Sequence, residues 1–184
     1  MSPLTIVSVC WLLSEIMLSR FLRSTKEENK DQKSLKYLWI TIIIAITAAV
    51  YLGIKKIGFI SYVPHLIKDI GLTLIIIGLI IRWMAILTLK KYFTVNVAVS
   101  QGQKIIISGL YRYIRHPAYL GSLLSFLGLG LAFSNWLSVL IIILPVSAVF
   151  LKRIKIEEQV LVDSLGQEYE QYIKHTKRII PGIY

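Results

Sequence analysis

The chain is poor in cysteine and in acidic residues. Its single cysteine, Cys10, lies inside an apolar run, which excludes an internal disulfide and any thiol pair for metal or redox chemistry. We interpret Cys10 as a small buried hydrophobic residue. The 10 acidic residues are outnumbered by 21 Lys and Arg, and the formal net charge is +11. The basic residues lie between apolar runs and form no patch with interleaved aromatics, so we expect no nucleic-acid partner.

Apolar residues are in excess. They make up 55% of the 184 residues, against about 45–50% in an ordinary globular domain, and the mean hydropathy is +0.67. Apolar runs recur from the first residues to about Phe150. We therefore predict an all-α polytopic membrane protein in which residues 1–184 form one domain.

Five apolar runs predict about five transmembrane helices. They cover residues 4–22, 37–54, 70–89, 119–133 and 136–151. The last two runs are short for full spans. Only Ser134 and Asn135 separate them, which predicts a tight helical hairpin. Pro145 predicts a bend in the second helix of this hairpin.

The remaining segments suggest two parts within the domain. Residues 1–91 hold three N-terminal spans, and residues 92–184 form a core that begins with a surface loop over 92–118. Beyond the hairpin the chain becomes polar, and residues 156–173 predict an amphipathic helix interrupted near Gly166.

The distribution of positive charge predicts the orientation in the membrane. Segments rich in Lys and Arg follow the first, third and fifth spans, whereas the other loops carry few positive charges. Because such segments stay in the cytoplasm, we expect an inner or plasma membrane protein with its N-terminus outside and its C-terminus cytoplasmic. Basic residues follow the first run and none precedes it, which indicates a retained span and not a signal peptide.

Arg82 is an ionisable residue inside the third predicted span. Charged side chains are costly there, so Arg82 is a candidate functional residue. It lies only about 12 Å along a helix from Lys90, close enough to snorkel to the headgroups. We favour snorkelling or a structural ion pair over a functional role.

The segment from Ser108 to Gly121 concentrates cations, aromatics and a histidine directly before a predicted membrane helix. Pro117 is suited to the first turn of that helix, which would place His116 at the helix N-terminus. Free N–H groups at such an end favour an anion, for example a carboxylate of a bound cofactor. Taken alone, the segment is more typical of an interfacial aromatic belt with arginines on lipid phosphates, and we favour that interpretation at this point.

A second polar cluster follows the last span and includes Arg153 and Glu157. Four residues apart on a continuing helix, these two side chains share a face. Such a pair is usually a surface salt bridge of little energetic value. Here the hairpin places it on the same side as His116, and polar groups that converge in an apolar cleft are typical of a binding site.

At these residues the chain resembles the isoprenylcysteine carboxyl methyltransferase family. The resemblance is carried by Ser-Gly-Leu-Tyr at 108–111, Arg-His-Pro-Ala-Tyr-Leu-Gly at 115–121, Glu157-Glu158, and the closing Arg-Ile-Ile-Pro at 178–181. It implies a membrane enzyme that binds S-adenosyl-L-methionine in a cytosolic pocket formed by the 92–118 loop and the C-terminal helix. It also implies a lipophilic substrate that arrives through the bilayer.

The resemblance implies a role for particular residues. Arg153 would hold the acceptor group of the substrate, and Arg153 and Glu157 would be the catalytic pair. A backbone stretch formed by Gln103, Lys104, Ile105 and Ile106 would wrap the cofactor, with a weaker correspondence at Asn96. The cofactor contacts would further include Tyr111, His116, Pro117, Ala118, Tyr119 and Glu157. No metal is implied.

The function predicted is therefore methyl transfer to a carboxylate or hydroxyl of a lipophilic acceptor. The expected partners are a lipophilic small molecule or lipidated substrate, and membrane lipids. Two alternatives stay open at this point. One is an NADPH-dependent membrane reductase, because the tail Arg178–Tyr184 is also similar to that class. The other is a non-catalytic scaffold or transport protein, in which Arg82, His116 and the Arg153/Glu157 pair would be structural.

Overall fold

The computed structural model describes residues 3–21, 32–95 and 102–184, except for the side chains of 19–21 and 32–33. These residues form α-helices joined by short turns, with isolated bridges and no strand, which confirms the all-α prediction for them. The helices are α1 Pro3–Phe21, α2 Gln32–Lys55, α3 Pro64–Leu89, α4 Pro117–Ala132, α5 Trp136–Leu165 and α6 Gln167–His175.

Three helical segments are long and apolar enough to cross a membrane. They are Ser34–Lys55, Pro64–Tyr92 and Trp136–Leu165. Pro3–Leu18 and Pro117–Ala132 are shorter apolar helices. The membrane character is thus confirmed, while the full number of spans stays a prediction.

The last long helix runs further than the sequence pattern suggested. Residues 156–173 are helical as expected, apart from the interruption at Gly166, but no helix begins at Ile156, because α5 continues unbroken from Trp136 to Leu165. No Gly or Pro occurs between Lys152 and Leu165, so nothing stops the helix where its composition changes. The predicted interruption near Gly166 is confirmed: that residue has φ +55° and separates α5 from α6.

The predicted tight hairpin is confirmed, since only residues 133–135 connect α4 to α5. Asn135 caps α5 by accepting a hydrogen bond from Ser138 N at 3.0 Å. Its amide also donates to Ile57 O at 2.7 Å, which ties the hairpin to the end of α2. These hydrogen bonds hold the hairpin against α2 at the end of the helical bundle opposite the cavity described below.

Glycines allow α3 and α4 to pack backbone against backbone. A Cβ added to Gly78 would lie 2.4 Å from Ser125 Oγ and 2.5 Å from Gly121 O, and one added to Gly71 would lie 2.6 Å from Gly128 O. Small residues at a helix interface permit this close approach in membranes. This contact therefore fixes the position of α4 against α3.

We expect Gly78→Ala to destabilise the protein by about 1–3 kcal/mol, because the added methyl group overpacks this contact. Gly53→Ala is the matched control, because a Cβ there would meet only Phe133 at 3.5 Å in ordinary contact. Thermal unfolding in detergent, followed by size-exclusion fluorescence, measures both. Equal midpoints for the two variants would contradict the close packing of α3 on α4.

The apolar core lies between α1, α2, α3, α4 and α5 and includes residues such as Ile42, Ile75, Phe126 and Phe150. Cys10 is not part of it, so the interpretation of Cys10 as a buried residue is wrong. The outer face of α1 is exposed, as Val9 and Leu13 show. In lipid an outward apolar face is favourable, so an apolar run there does not imply burial.

Candidate active site

A cavity of about 180 Å³ opens where the loop before α4 meets the C-terminal part of α5. The cavity brings together nearly all the residues that the sequence singled out. Those lining it are Gln103, Lys104, Ile105, Ile106, Tyr111, His116, Ala118, Tyr119, Arg153 and Glu157. Pro117 does not line the cavity; it is buried at the first turn of α4, with His116 as the helix cap, as expected. Asn96 lies outside the described residues.

Arg153 is the most deeply buried cation on the cavity wall, with 3% of its surface exposed. It donates to Tyr119 Oη at 3.0 Å, to Ser34 Oγ at 3.2 Å, and to the carbonyl oxygen of Val95. All three acceptors are neutral. Within the described part of the chain, no carboxylate forms an ion pair with Arg153.

Arg153 and Glu157 form no salt bridge with each other among the described residues, and the Tyr119 hydroxyl lies between the two side chains. Tyr119 accepts from Arg153 Nε at 3.0 Å and donates to Glu157 Oε2 at 3.0 Å. The i, i+4 spacing does place both residues on the cavity side of α5. The guanidinium is instead engaged by α2 and the loop after α3 through Ser34 and Val95.

Arg82 also lines the cavity, but its charge is compensated. Its Nη2 donates to Glu15 Oε2 at 2.8 Å, and its Nε lies 2.7 Å from the other carboxylate oxygen. Its Nη1 donates to Ser122 Oγ at 2.8 Å. Of the two interpretations we favoured for Arg82, the structure shows the ion pair. Three arginines therefore line one cavity. Arg82 and Arg115 are paired with carboxylates, whereas Arg153 hydrogen-bonds only neutral groups among the described residues.

Glu158 is the polar residue whose importance the sequence did not indicate. Its carboxylate is 2.8 Å from Arg115 Nε, 2.8 Å from Arg178 Nε and 3.3 Å from His116 Nε2. Consecutive helix positions point about 100° apart, so Glu157 faces the cavity while Glu158 faces the tail. The Glu-Glu pair was visible in the sequence, but only the fold shows that its members have different surroundings.

The stretch Lys104–Ile106 borders the cavity. Its N–H and C=O groups make no backbone hydrogen bond to another described residue. The preceding turn is held by Tyr92 Oη, which donates to Gly102 O at 3.2 Å. Free backbone donors and acceptors beside a cavity are suited to binding a polar ligand.

Tyrosines from α6 and the loop close the cavity. Tyr172 Oη donates to Tyr111 O at 2.6 Å, and Tyr169 and Tyr172 both line the cavity. Burial, followed by the nearby Glu157 carboxylate, raises the pKa of the Tyr111 and Tyr169 phenols. These hydroxyls therefore stay protonated and can donate hydrogen bonds.

Known proteins that are similar to this chain belong to one family. Residues 71–163 match the isoprenylcysteine carboxyl methyltransferase family. A probable protein-S-isoprenylcysteine O-methyltransferase of Oryza sativa subsp. indica is 34% identical over 138 residues, which cover 74% of this chain and 69% of the relative. Protein-S-isoprenylcysteine O-methyltransferase B of Arabidopsis thaliana is 32% identical over 119 residues, covering 64% of this chain and 60% of the relative.

A solved structure is also similar. It is the eukaryotic intramembrane Ras methyltransferase of the same family, with a TM-score of 0.61 and 28% sequence identity. The match covers 82% of this chain and 51% of the solved one, so the chain spans about half the length of that protein. Neither the reductase nor the scaffold alternative is favoured by these similarities. This chain belongs to the isoprenylcysteine carboxyl methyltransferase family of membrane enzymes.

Proposed function

We propose that this protein transfers a methyl group from S-adenosyl-L-methionine to the carboxylate of a lipophilic acceptor of the prenylcysteine type. The names of its relatives support the reaction class. The observation that carries the choice of acceptor is Arg153, a buried cation on the cavity wall with no carboxylate partner in the described part of the chain.

A buried guanidinium without a counter-ion is unfavourable. Arg153 uses each of its three nitrogens once, and a guanidinium has five N–H donors. Two donors are therefore left for a ligand. The carboxylate of a methyl acceptor would supply the missing negative charge and would accept a hydrogen bond from each of the two remaining N–H groups. A neutral hydroxyl would leave the charge of Arg153 uncompensated.

The apolar part of the cavity lining is suited to the apolar part of the acceptor. The residues concerned are large and hydrophobic and come from α1, α2, α4 and α5. They are Trp11, Leu35, Leu38, Trp39, Ile42, Phe126 and Phe150. Because these helices are themselves apolar on the outside, a lipid tail can pass from the bilayer to this wall without crossing water.

The remaining polar groups fit S-adenosyl-L-methionine. Tyr119 is the only hydrogen-bond partner of Glu157 among the described residues, so the carboxylate keeps free lone pairs for ammonium or hydroxyl groups. The backbone N–H and C=O groups of Lys104–Ile106 make no backbone hydrogen bond to another described residue, so they can bind the base and the polar end of S-adenosyl-L-methionine. His116 and Ala118, at the N-terminus of α4, complete the pocket. When bound, S-adenosyl-L-methionine supplies an electrophilic methyl carbon on a sulfonium.

The protein's own contribution is positioning. Arg153 orients the acceptor oxygen, and Tyr119 links Arg153 to Glu157, so the two halves of the cavity keep a constant spacing. A carboxylate is already ionised at neutral pH, so no general base is needed. Alignment of two held reactants supplies a large part of the acceleration.

We further propose that the cavity faces the cytoplasm and that the N-terminus lies outside. The support is the distribution of Lys and Arg. Arg153 joins the beginning of α2, through Ser34, to the beginning of α4, through Tyr119, so the polar segments beside them share one end of the helical bundle. The division into 1–91 and 92–184 stays a prediction; the cavity is lined from both parts.

The test is methyl transfer by detergent-purified protein from methyl-labelled S-adenosyl-L-methionine. The acceptors are N-acetyl-S-farnesylcysteine and the matching alcohol, in which the carboxylate is reduced. We expect label in the acid alone, and release of methanol on treatment with alkali, because the product is an ester. Equal labelling of the alcohol, or an alkali-stable product, would contradict a carboxylate acceptor.

A further inference from the structure

Two arginines and a histidine surround the buried carboxylate of Glu158, behind the wall of the cavity. Arg115 and Arg178 each lie 2.8 Å from it, and His116 lies 3.3 Å away. The side chain of Glu158 is 7% exposed and does not line the cavity. Arg115 and His116 do line it. Two members of this cluster therefore form part of the binding surface, while Glu158 itself does not touch the cavity.

The cluster connects three separate segments of the chain. Arg115 and His116 belong to the loop before α4, Glu158 belongs to α5, and Arg178 belongs to the tail. Backbone hydrogen bonds join the same loop and tail, from Arg115 N to Lys177 O at 2.8 Å and from His116 N to Arg178 O at 2.9 Å. The His116 backbone and imidazole are thus both held from the side away from the cavity.

A path of direct contacts leads from Glu158 to the cavity. The His116 ring packs edge-on against the Tyr119 ring, with centroids 5.7 Å apart. Tyr119 in turn hydrogen-bonds Glu157 and Arg153. A change in the His116 ring would therefore alter the wall where Tyr119 and Glu157 lie.

We propose that Glu158 is a positioning residue for the adenosyl ligand, which it acts on through His116 and the tail without contacting it. This inference rests on the proposed function, because it assumes that the cavity binds an adenosyl group. Removing the Glu158 charge leaves Arg115 and Arg178 without their carboxylate and releases the imidazole. Ligand affinity should fall, while the acceptor side around Arg153 keeps its own hydrogen bonds.

The experiment compares wild type with Glu158→Gln, Glu158→Asp and Arg178→Met. Calorimetry gives the Kd for S-adenosylhomocysteine, and steady-state kinetics gives kcat and KM for S-adenosylmethionine and for N-acetyl-S-farnesylcysteine. For Glu158→Gln we expect about a tenfold rise in the Kd and in the KM for S-adenosylmethionine, the size of losing one charge-assisted hydrogen bond. The kcat and the KM for the acceptor should stay within about twofold of wild type, and Glu158→Asp should restore part of the affinity.

Arg178→Met tests the same cluster in case Glu158→Gln fails to fold. The Arg178 side chain is 30% exposed, so its loss should be tolerated, and it should produce a smaller rise in the same Kd. An unchanged Kd in both folded variants would overturn the inference while leaving the proposed function intact. A fall in Tm and kcat with unchanged Kd would overturn it as well, since that indicates a structural role only. Failure of wild type to bind S-adenosylhomocysteine would overturn both proposals.

Discussion

Replacing Arg153 by methionine is expected to lower kcat/KM for a carboxylate acceptor by about 100-fold or more. Arg153 is buried and is bound only to neutral groups in the described part of the chain. Removing one member of a buried, hydrogen-bonded charge pair costs about 2–5 kcal/mol, and about 1.4 kcal/mol corresponds to a factor of ten in rate. Methyl-transfer kinetics with N-acetyl-S-farnesylcysteine measure the effect.

Lys155→Met is the matched control for this change. It removes one positive charge from the same helix at an exposed position that does not line the cavity, so kcat/KM should stay within about twofold of wild type. Arg153→Met should still bind S-adenosylhomocysteine, because Glu157 and the backbone of Lys104–Ile106 are unchanged. An unaltered kcat/KM in a folded Arg153→Met protein would refute the assignment of Arg153 to the acceptor.

Glu157→Gln is expected to weaken binding of adenosyl ligands by about 10- to 100-fold, which is the range for losing charge-assisted hydrogen bonds in a partly buried site. Glu157 faces the cavity, and its only described hydrogen bond is to Tyr119. The amide keeps the shape of the side chain and removes its charge. Calorimetry with S-adenosylhomocysteine and S-adenosylmethionine measures the change. A larger loss for the second ligand would show that the carboxylate interacts with the sulfonium.

Glu170→Gln provides the control for Glu157→Gln. Glu170 is exposed on α6 and does not line the cavity, so its neutralisation should leave both affinities unchanged. The KM for the acceptor should change little in Glu157→Gln if Arg153 alone holds the carboxylate. A rise in acceptor KM with no change in adenosyl affinity would contradict the assignment of Glu157 to the adenosyl ligand.

The sequence singled out most of the polar residues that line the cavity, because their placement depends on local features of the chain. Pro117 and His116 specify the beginning of α4 through backbone geometry alone. Helical spacing placed Arg153 and Glu157 on one face, and the short 133–135 connection required α4 and α5 to be neighbours. Each of these inferences depends on residues close together in the chain.

The sequence was less informative about which charged side chains contact each other. Arg82 and Glu15 lie 67 positions apart, and nothing in either segment indicates their contact. Arg153 hydrogen-bonds Ser34 and Val95 and not Glu157, because α2 and the loop after α3 place acceptor oxygens within reach of its guanidinium. The end of α5 was also misplaced, since hydropathy marks where a segment leaves the apolar region and not where its helix ends.

By itself the sequence determined that this chain is a helical membrane protein, and its motifs identified the family. Hydrophobic run length and helix-end chemistry are properties of neighbouring residues, so they need no three-dimensional information. The tertiary structure decided which charges are compensated. Glu15 pairs with Arg82, and Glu158 pairs with Arg115 and Arg178, whereas no described carboxylate pairs with Arg153. That difference arises only when distant helices pack, because the energy of a charge depends on which groups surround it and on how far it is from water.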